Sequence, residues 1–145
     1  MGSQINMRVV LDTNVLISAL FWKGKAALIL DLAEKGTITV CLTKEILDEI
    51  IRVLNYPKIY KHLSSTCLTV NDILHYITEL AEFYHDAIQL KNMIKDDPSD
   101  NKFLSCALAS RAKYIISGDA HILKLKSFVN ISIVTPAVFL SIFKK

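Results

Sequence analysis

The chain has 145 residues, of which 52% are hydrophobic and 21% charged, with only 4 Gly and 3 Pro. These figures exclude a disordered chain, a coiled coil and a linker-rich architecture, and they fit one folded unit with a single core. The net charge of +3, from 17 Lys+Arg against 14 Asp+Glu, permits nucleic-acid contact without demanding it.

Met1 to Asn6 carry neither a signal-peptide nor a myristoylation pattern and read as an extension ahead of Met7, so one domain is expected over 7–145. No apolar run approaches the roughly 18–20 residues needed to span a bilayer. Arg8 to Leu11 does not alternate and predicts a buried strand, broken at Asp12-Thr13-Asn14. Helices are predicted over Val15 to Trp22 and Lys25 to Lys35, the second stopped by Gly36. A strand over Thr37 to Leu42 follows. Thr43 then caps a helix that Pro57 ends, with a further turn or two over Lys58 to Leu63. Thr69-Val70-Asn71-Asp72 opens a long helix to about Asp86, and Ala87 to Leu90 suits a short strand. Asp97-Pro98-Ser99-Asp100 opens a helix to about Lys113, Tyr114 to Ser117 is a strand, and a short helix runs to about Leu125. Ile131 to Val134 is the last strand and Pro136 starts a closing helix. Strands alternating with helices predict an α/β fold, a parallel sheet covered on both faces with active residues at the carboxyl ends of its strands.

Cys41, Cys67 and Cys106 are odd in number and lack C-x-x-C spacing, which suits reduced thiols in a reducing compartment, with Cys41 and Cys106 in the core. His62, His75, His85 and His121 have no H-x-x-x-H pairing and read as surface or boundary residues. Trp22 and most other aromatic residues fall at core spacing. Tyr56 and Tyr60 lie beside Lys58 and Lys61, where helix packing fits better than a nucleic-acid contact.

Asp12 directly follows the first strand, and Asp119 follows the fourth after Ser117-Gly118, so both project from one edge of a parallel sheet. Either could equally be an N-cap. Asp100 lies on the core-facing stripe with Leu104, Ala107 and Leu108, which leaves the cap role to Asp97. Glu49 borders the apolar arc of its helix; the plain alternative is a boundary glutamate bonded to a nearby Lys or Arg. Four carboxylates gathered at one edge repel, each close pair by about 1 kcal/mol in water and about 4 kcal/mol at an effective dielectric of 20. Either protons are retained or a divalent cation is bound, and oxygen donors without His or Cys suit Mg²⁺ or Mn²⁺. Lys23, Lys25 and Lys102 lie near the same edge as candidate contacts for a phosphate backbone. Isolated glycines and the absence of G-x-S-x-G argue against a phosphate loop and a serine hydrolase.

Val10-Leu11-Asp12-Thr13-Asn14-Val15-Leu16 resembles the opening strand motif of PIN-domain ribonucleases. Leu47-Asp48-Glu49-Ile50, Asp97-Pro98-Ser99-Asp100-Asn101-Lys102-Phe103-Leu104 and Ile116-Ser117-Gly118-Asp119 resemble the family's second, third and fourth motifs, in the family's order. The branch resembled is the toxin component of toxin–antitoxin pairs, the VapC-like proteins. The resemblance implies a three-layer α/β/α sandwich around a five-stranded parallel sheet of order 3-2-1-4-5. It implies that Asp12, Glu49, Asp100 and Asp119 bind one or two Mg²⁺ or Mn²⁺ ions, with Thr13, Asn14 and Ser117 as supporting polar residues. The implied activity is cytoplasmic cleavage of single-stranded RNA, leaving a 5′-phosphate and a 3′-hydroxyl. The implied partners are a cognate antitoxin and a second copy of the chain. Where many members carry a further acid, this chain has His121, which weakens the side of a second ion. Two rivals stand beside this reading. One is a PIN-fold module that binds RNA or protein with little or no turnover. The other is a phosphoacceptor receiver domain, disfavoured by the single acid after the first strand and the lack of a Lys beside the last.

Overall fold

A strand without polar alternation must be covered on both faces, and β1 (Met7–Leu11) is: Val9, Val10 and Leu11 are fully buried. The computed structural model of the chain describes residues 6–85 and 101–143. After β1 come α1 (Thr13–Phe21), α2 (Lys25–Glu34), β2 (Ile38–Leu42), α3 (Lys44–Leu54), α4 (Pro57–Ser65), α5 (Val70–Leu80) and β3 (Glu82–Phe83). The second part holds α6 (Asn101–Ser110), β4 (Tyr114–Ile116), α7 (Ala120–Leu123), β5 (Ser127–Phe128), β6 (Ile131–Val134) and α8 (Pro136–Phe143).

The sheet order is β3-β2-β1-β4-β6-β5. Its first five members are parallel, which is the expected 3-2-1-4-5 arrangement. A sixth strand beyond the predicted five, β5, pairs antiparallel with β6 at the edge. The hairpin between them turns on Val129 and Asn130, both at positive φ (52° and 66°). Such a turn is ordinarily marked by Asn-Gly, so Val-Asn gave no signal. α6 packs across β1, β2 and β4, while α2 packs on β2 and against α1 and α8. The core is one cluster, in which Ile46, Ile50 and Leu54 of α3 and Leu104 and Ala107 of α6 are fully buried.

Other boundaries also moved. α5 stops at Leu80 instead of near Asp86, because Ala81 turns extended (φ −93°, ψ 155°) and leads the chain into β3. Cys41 and Leu42 of β2 pair there with Glu82 and Phe83. Arg8 reaches across β2 to donate to Tyr84 Oη (2.8 Å) and Glu82 Oε1 (3.2 Å). The expected strand over 87–90 and the helix start at Asp97 and Asp100 lie outside the described residues. Pro57 both follows α3 and occupies the first turn of α4, where its missing N–H costs nothing. Gly36 does stop α2: at φ 80° it lets its own N–H reach Ala33 O (3.0 Å) and the Thr37 N–H reach Leu32 O (3.0 Å). Cys41 and Cys106 are buried as expected, and burial pushes their thiols up to about 11 and about 12. No described helix is long and apolar enough to cross a membrane.

Candidate active site

The chain reverses its direction of sheet growth between β1 and β4, and a crevice opens at the carboxyl ends of strands on either side of such a switch. Leu11 and Ile116, the last residues of the two strands, are register partners. The ladder continues one step further, with the Asp12 N–H donating to Ile116 O at 3.1 Å. Asp12 and Ser117 therefore emerge side by side as a consequence of pairing.

Asp12 is 5% exposed and Ser117 fully buried. The Ser117 hydroxyl donates to Asp12 Oδ2 and accepts the Asp119 N–H at 2.9 Å. One side chain thus ties the buried carboxylate to the loop that carries the second one. Asp12 Oδ1 accepts the Val15 N–H (2.8 Å), and Asp119 Oδ1 accepts the His121 N–H (2.8 Å). Both aspartates are N-caps, of α1 and α7, and both line one cleft, so the two readings of each residue coexist. The cleft measures about 350 Å³ and is completed by Asn14, Val15, Ser18, Ala26, Gly118 and Pro136.

Burial holds the Asp12 carboxyl above the ordinary Asp range. The Ser117 hydroxyl and the Val15 and Gly118 amides pull the other way, and the charge of Asp119 adds to the rise. Thr13 Oγ1, next in sequence, is buried with no hydrogen-bond partner among the described residues. A hard cation suits this donor set: the carboxylates offer oxygen alone, and a positive charge would offset both the desolvation of Asp12 and its repulsion by Asp119. Among the described residues no group of three or more acidic, His or Cys side chains is gathered.

The other expected site residues divide. Asp100 lies outside the described residues. Glu49 sits at the core boundary of α3, as its helical position predicts, but does not line the cleft. Its Oε1 pairs with Lys102 Nζ of α6 at 2.7 Å, and the two side chains are only 23% and 11% exposed. Lys102 is therefore engaged with a carboxylate instead of standing open to a phosphate. Lys23 and Lys25 are exposed, next to the cleft-lining Ala26. Asn14 is exposed on the cleft wall, and His121 is exposed beside Asp119.

One aromatic expectation fails. Trp22 is 46% exposed and does not join the core, while Tyr56 and Tyr60 are half exposed, at 49% and 50%. The reason for Trp22 is that it terminates α1 in an extended conformation, beyond the turn that packs inward. It stacks on His62 of α4 (ring centroids 5.3 Å apart, planes 23°), a contact between residues forty positions apart that periodicity cannot reveal.

Comparison with known proteins agrees with this fold. A chain in the crystal structure of VapBC2 from Rickettsia felis, bound to a DNA fragment from their promoter, superposes with a TM-score of 0.54. That match covers 88% of this chain and 97% of that one at 16% identity, and it supports the fold. An uncharacterized protein of Methanocaldococcus jannaschii is 32% identical over 152 residues, spanning 98% of this chain and 95% of its own length. The family profile for the PIN domain matches residues 8–121, which sets the receiver alternative aside. With four fifths of its length under that profile and its strand-end aspartates at the switch point, the chain belongs to the PIN domain family.

Proposed function

We propose that the chain is a metal-dependent endoribonuclease that cleaves single-stranded RNA and acts as the toxin of a toxin–antitoxin pair. PIN domains are generally nucleases and typically use divalent metals. The observation that carries the reading is the buried Asp12 carboxylate, joined through Ser117 to the Asp119 loop in an open cleft. A fixed, desolvated carboxylate at that point is costly for folding and useful for holding a cation.

In this reading Asp12, Asp119 and Asp100 hold one or two Mg²⁺ or Mn²⁺ ions, with Glu49 contributing directly or through water. When bound, the metal supplies Lewis-acid polarisation of the phosphoryl group and a lowered pKa for an attacking water. Ser117 keeps Asp12 and the Asp119 loop in fixed relation, so neither carboxylate must be ordered when the strand arrives. Asn14 offers an exposed amide on the cleft wall to the substrate. Asp100 or Glu49 accepts the proton of the attacking water. An antitoxin partner is supported by the VapBC2 structure, and a homodimer by the family resemblance.

The test is incubation with mixed RNAs, with and without Mn²⁺, and mapping of the new ends. Cation-dependent cuts leaving 5′-phosphates are expected from the native chain and none from Asp12→Asn. Equal cutting by that variant would refute the assignment. One observation favours a second reading, a PIN-fold binding module without turnover: Glu49 is already neutralised by Lys102. That reading predicts RNA retention with no new ends at any Mn²⁺ concentration.

A further inference from the structure

The cleft continues beyond its acids along α1. Asn14 and Ser18 line it, and Trp22 lies four residues beyond Ser18, just past the end of α1, where its N–H still donates to Ser18 O (2.9 Å). Trp22 is also where the chain leaves α1 for α2, whose Ala26 lines the cleft again. Its indole is held in place by two rings. His62 stacks against one face at 5.3 Å, and Phe21 meets both Trp22 (6.0 Å, 75°) and His62 (5.6 Å, 87°) edge-on. Held in this way, the indole still leaves 46% of the residue exposed. A large ring fixed by its neighbours and open to solvent loses little entropy on binding a flat partner.

The two segments that supply the indole and its stacking partner carry charge of one sign. The α1–α2 segment, residues 13–30, contains Lys23 and Lys25 and no acid. The segment that supplies His62, residues 55–71, contains Lys58 and Lys61 and again no acid. All four lysines are exposed, and Lys58 shares the helical face of His62 at i, i+4. Tyr60, half-exposed, lies between Lys58 and Lys61. In a chain with 14 acids, two acid-free segments meeting at an exposed stacked indole match a polyanion that carries planar groups. An apolar protein segment would have to bury these ammonium groups without partners.

We propose that Trp22, seated on His62, is a stacking platform for a base of single-stranded RNA whose backbone runs into the Asp12–Asp119 cleft. Lys23, Lys25, Lys58 and Lys61 hold the flanking phosphates. The inference rests on the nuclease reading for its choice of ligand, and it adds a base-contacting subsite outside the acidic centre.

Trp22 is the sole tryptophan of the chain, so its emission reports the platform directly. The experiment titrates the full-length Asp12→Asn variant, which leaves strands intact, with a short oligoadenylate and separately with inorganic polyphosphate. Saturable quenching by the oligoadenylate and none by polyphosphate is expected. Binding of labelled RNA, followed by anisotropy, should weaken about 5- to 150-fold in Trp22→Ala and much less in Trp22→Phe, the range of one lost base stack. Circular dichroism checks that both variants are folded. RNA binding that leaves Trp22 emission unchanged, or unaltered affinity in folded Trp22→Ala, overturns the platform. So does emission moved by a second copy of the chain but not by RNA, which would assign this face to a protein. Cleavage by the native chain with an indifferent Trp22 sinks the platform alone. Quenching by RNA with no cleavage under Mn²⁺ sinks the nuclease reading alone.

Discussion

Asp12 and Glu49 are both carboxylates drawn out of water, and they are satisfied in opposite ways. Asp12 stands at a strand end, fixed by its N–H bond to Ile116 O, and its carboxylate meets neutral donors: the Ser117 hydroxyl and backbone amides. Glu49 stands mid-helix and meets a lysine ammonium at 2.7 Å. The first arrangement leaves a negative charge that neutral dipoles offset only partly, which is why burial still raises the Asp12 pKa. The second is already neutral within the fold. Sheet topology thus leaves a buried carboxylate held by neutral donors, and helix packing leaves one whose charge is balanced internally.

The widest separation between these regions should come from Asp12→Asn. Loss of an inner carboxylate is expected to lower cleavage at least about 100-fold, beyond the 10- to 100-fold typical of an outer-shell partner. The same variant should melt higher than the native chain at neutral pH without divalent cation, since Asn caps as well as Asp and carries no charge to desolvate. The sign follows from linkage. With its folded pKa raised, Asp12 keeps a proton in the folded state after the unfolded chain has released it. Its contribution is therefore most favourable below the unfolded value, falls as pH rises to the folded value, and stays flat above. Melting curves in EDTA across that window should decline with pH in the native chain and lose that component in Asp12→Asn. An unchanged slope would remove the claim that Asp12 is uncompensated.

Ser117→Ala breaks the link between the two aspartates and keeps both charges. It leaves Asp12 Oδ2 and the Asp119 N–H without their partner. A loss of about 1–3 kcal/mol is expected in urea unfolding, and cleavage should fall about 10- to 100-fold. Native stability together with native activity would show that Ser117 only fills space. Divalent cation should act on the same region: Mn²⁺ at about 100 times its dissociation constant is expected to stabilise the native chain by about 2.7 kcal/mol, and Asp12→Asn by much less. Equal shifts in the two proteins would move the cation elsewhere.

The legible parts of this molecule are those that local rules determine. Val9-Val10-Leu11 is apolar on both faces, so β1 is buried, and a parallel sheet puts the residues after β1 and β4 on one edge whatever the strand order. Asp12 and Asp119 therefore lie at one edge, as their places after β1 and β4 predict, while the Ser117 hydroxyl that links them follows from no local pattern. The boundary position of Glu49 followed from the 100° step of its helix, but its partner did not. Lys102 lies 53 residues away, and nothing in either helix specifies which cation reaches it. Trp22 failed for a related reason: helical spacing assigned it to the core, whereas the helix ends at Phe21 and the next residue turns outward. β3 and β5, each two residues long, are too short to carry a period at all.

The smallest expected effect is the one that isolates Glu49. Lys102→Met keeps most of the aliphatic stem, which packs where only 11% of the side chain is exposed, and removes the ammonium. Glu49 is then left charged and 23% exposed without that partner. Breaking a fully buried pair from one side costs about 3–5 kcal/mol, but water reaches this one, so a loss of about 1–2 kcal/mol is expected. Adding Glu49→Gln in the same chain should recover most of that loss, because the penalty comes from an unpaired charge and not from a missing attraction. Urea denaturation of the two single variants and the double variant closes the cycle. A double variant no more stable than Lys102→Met would mean that the lysine acts through its packing. The contrast between a carboxylate balanced by the fold and one left for a cation would then rest on Asp12 alone.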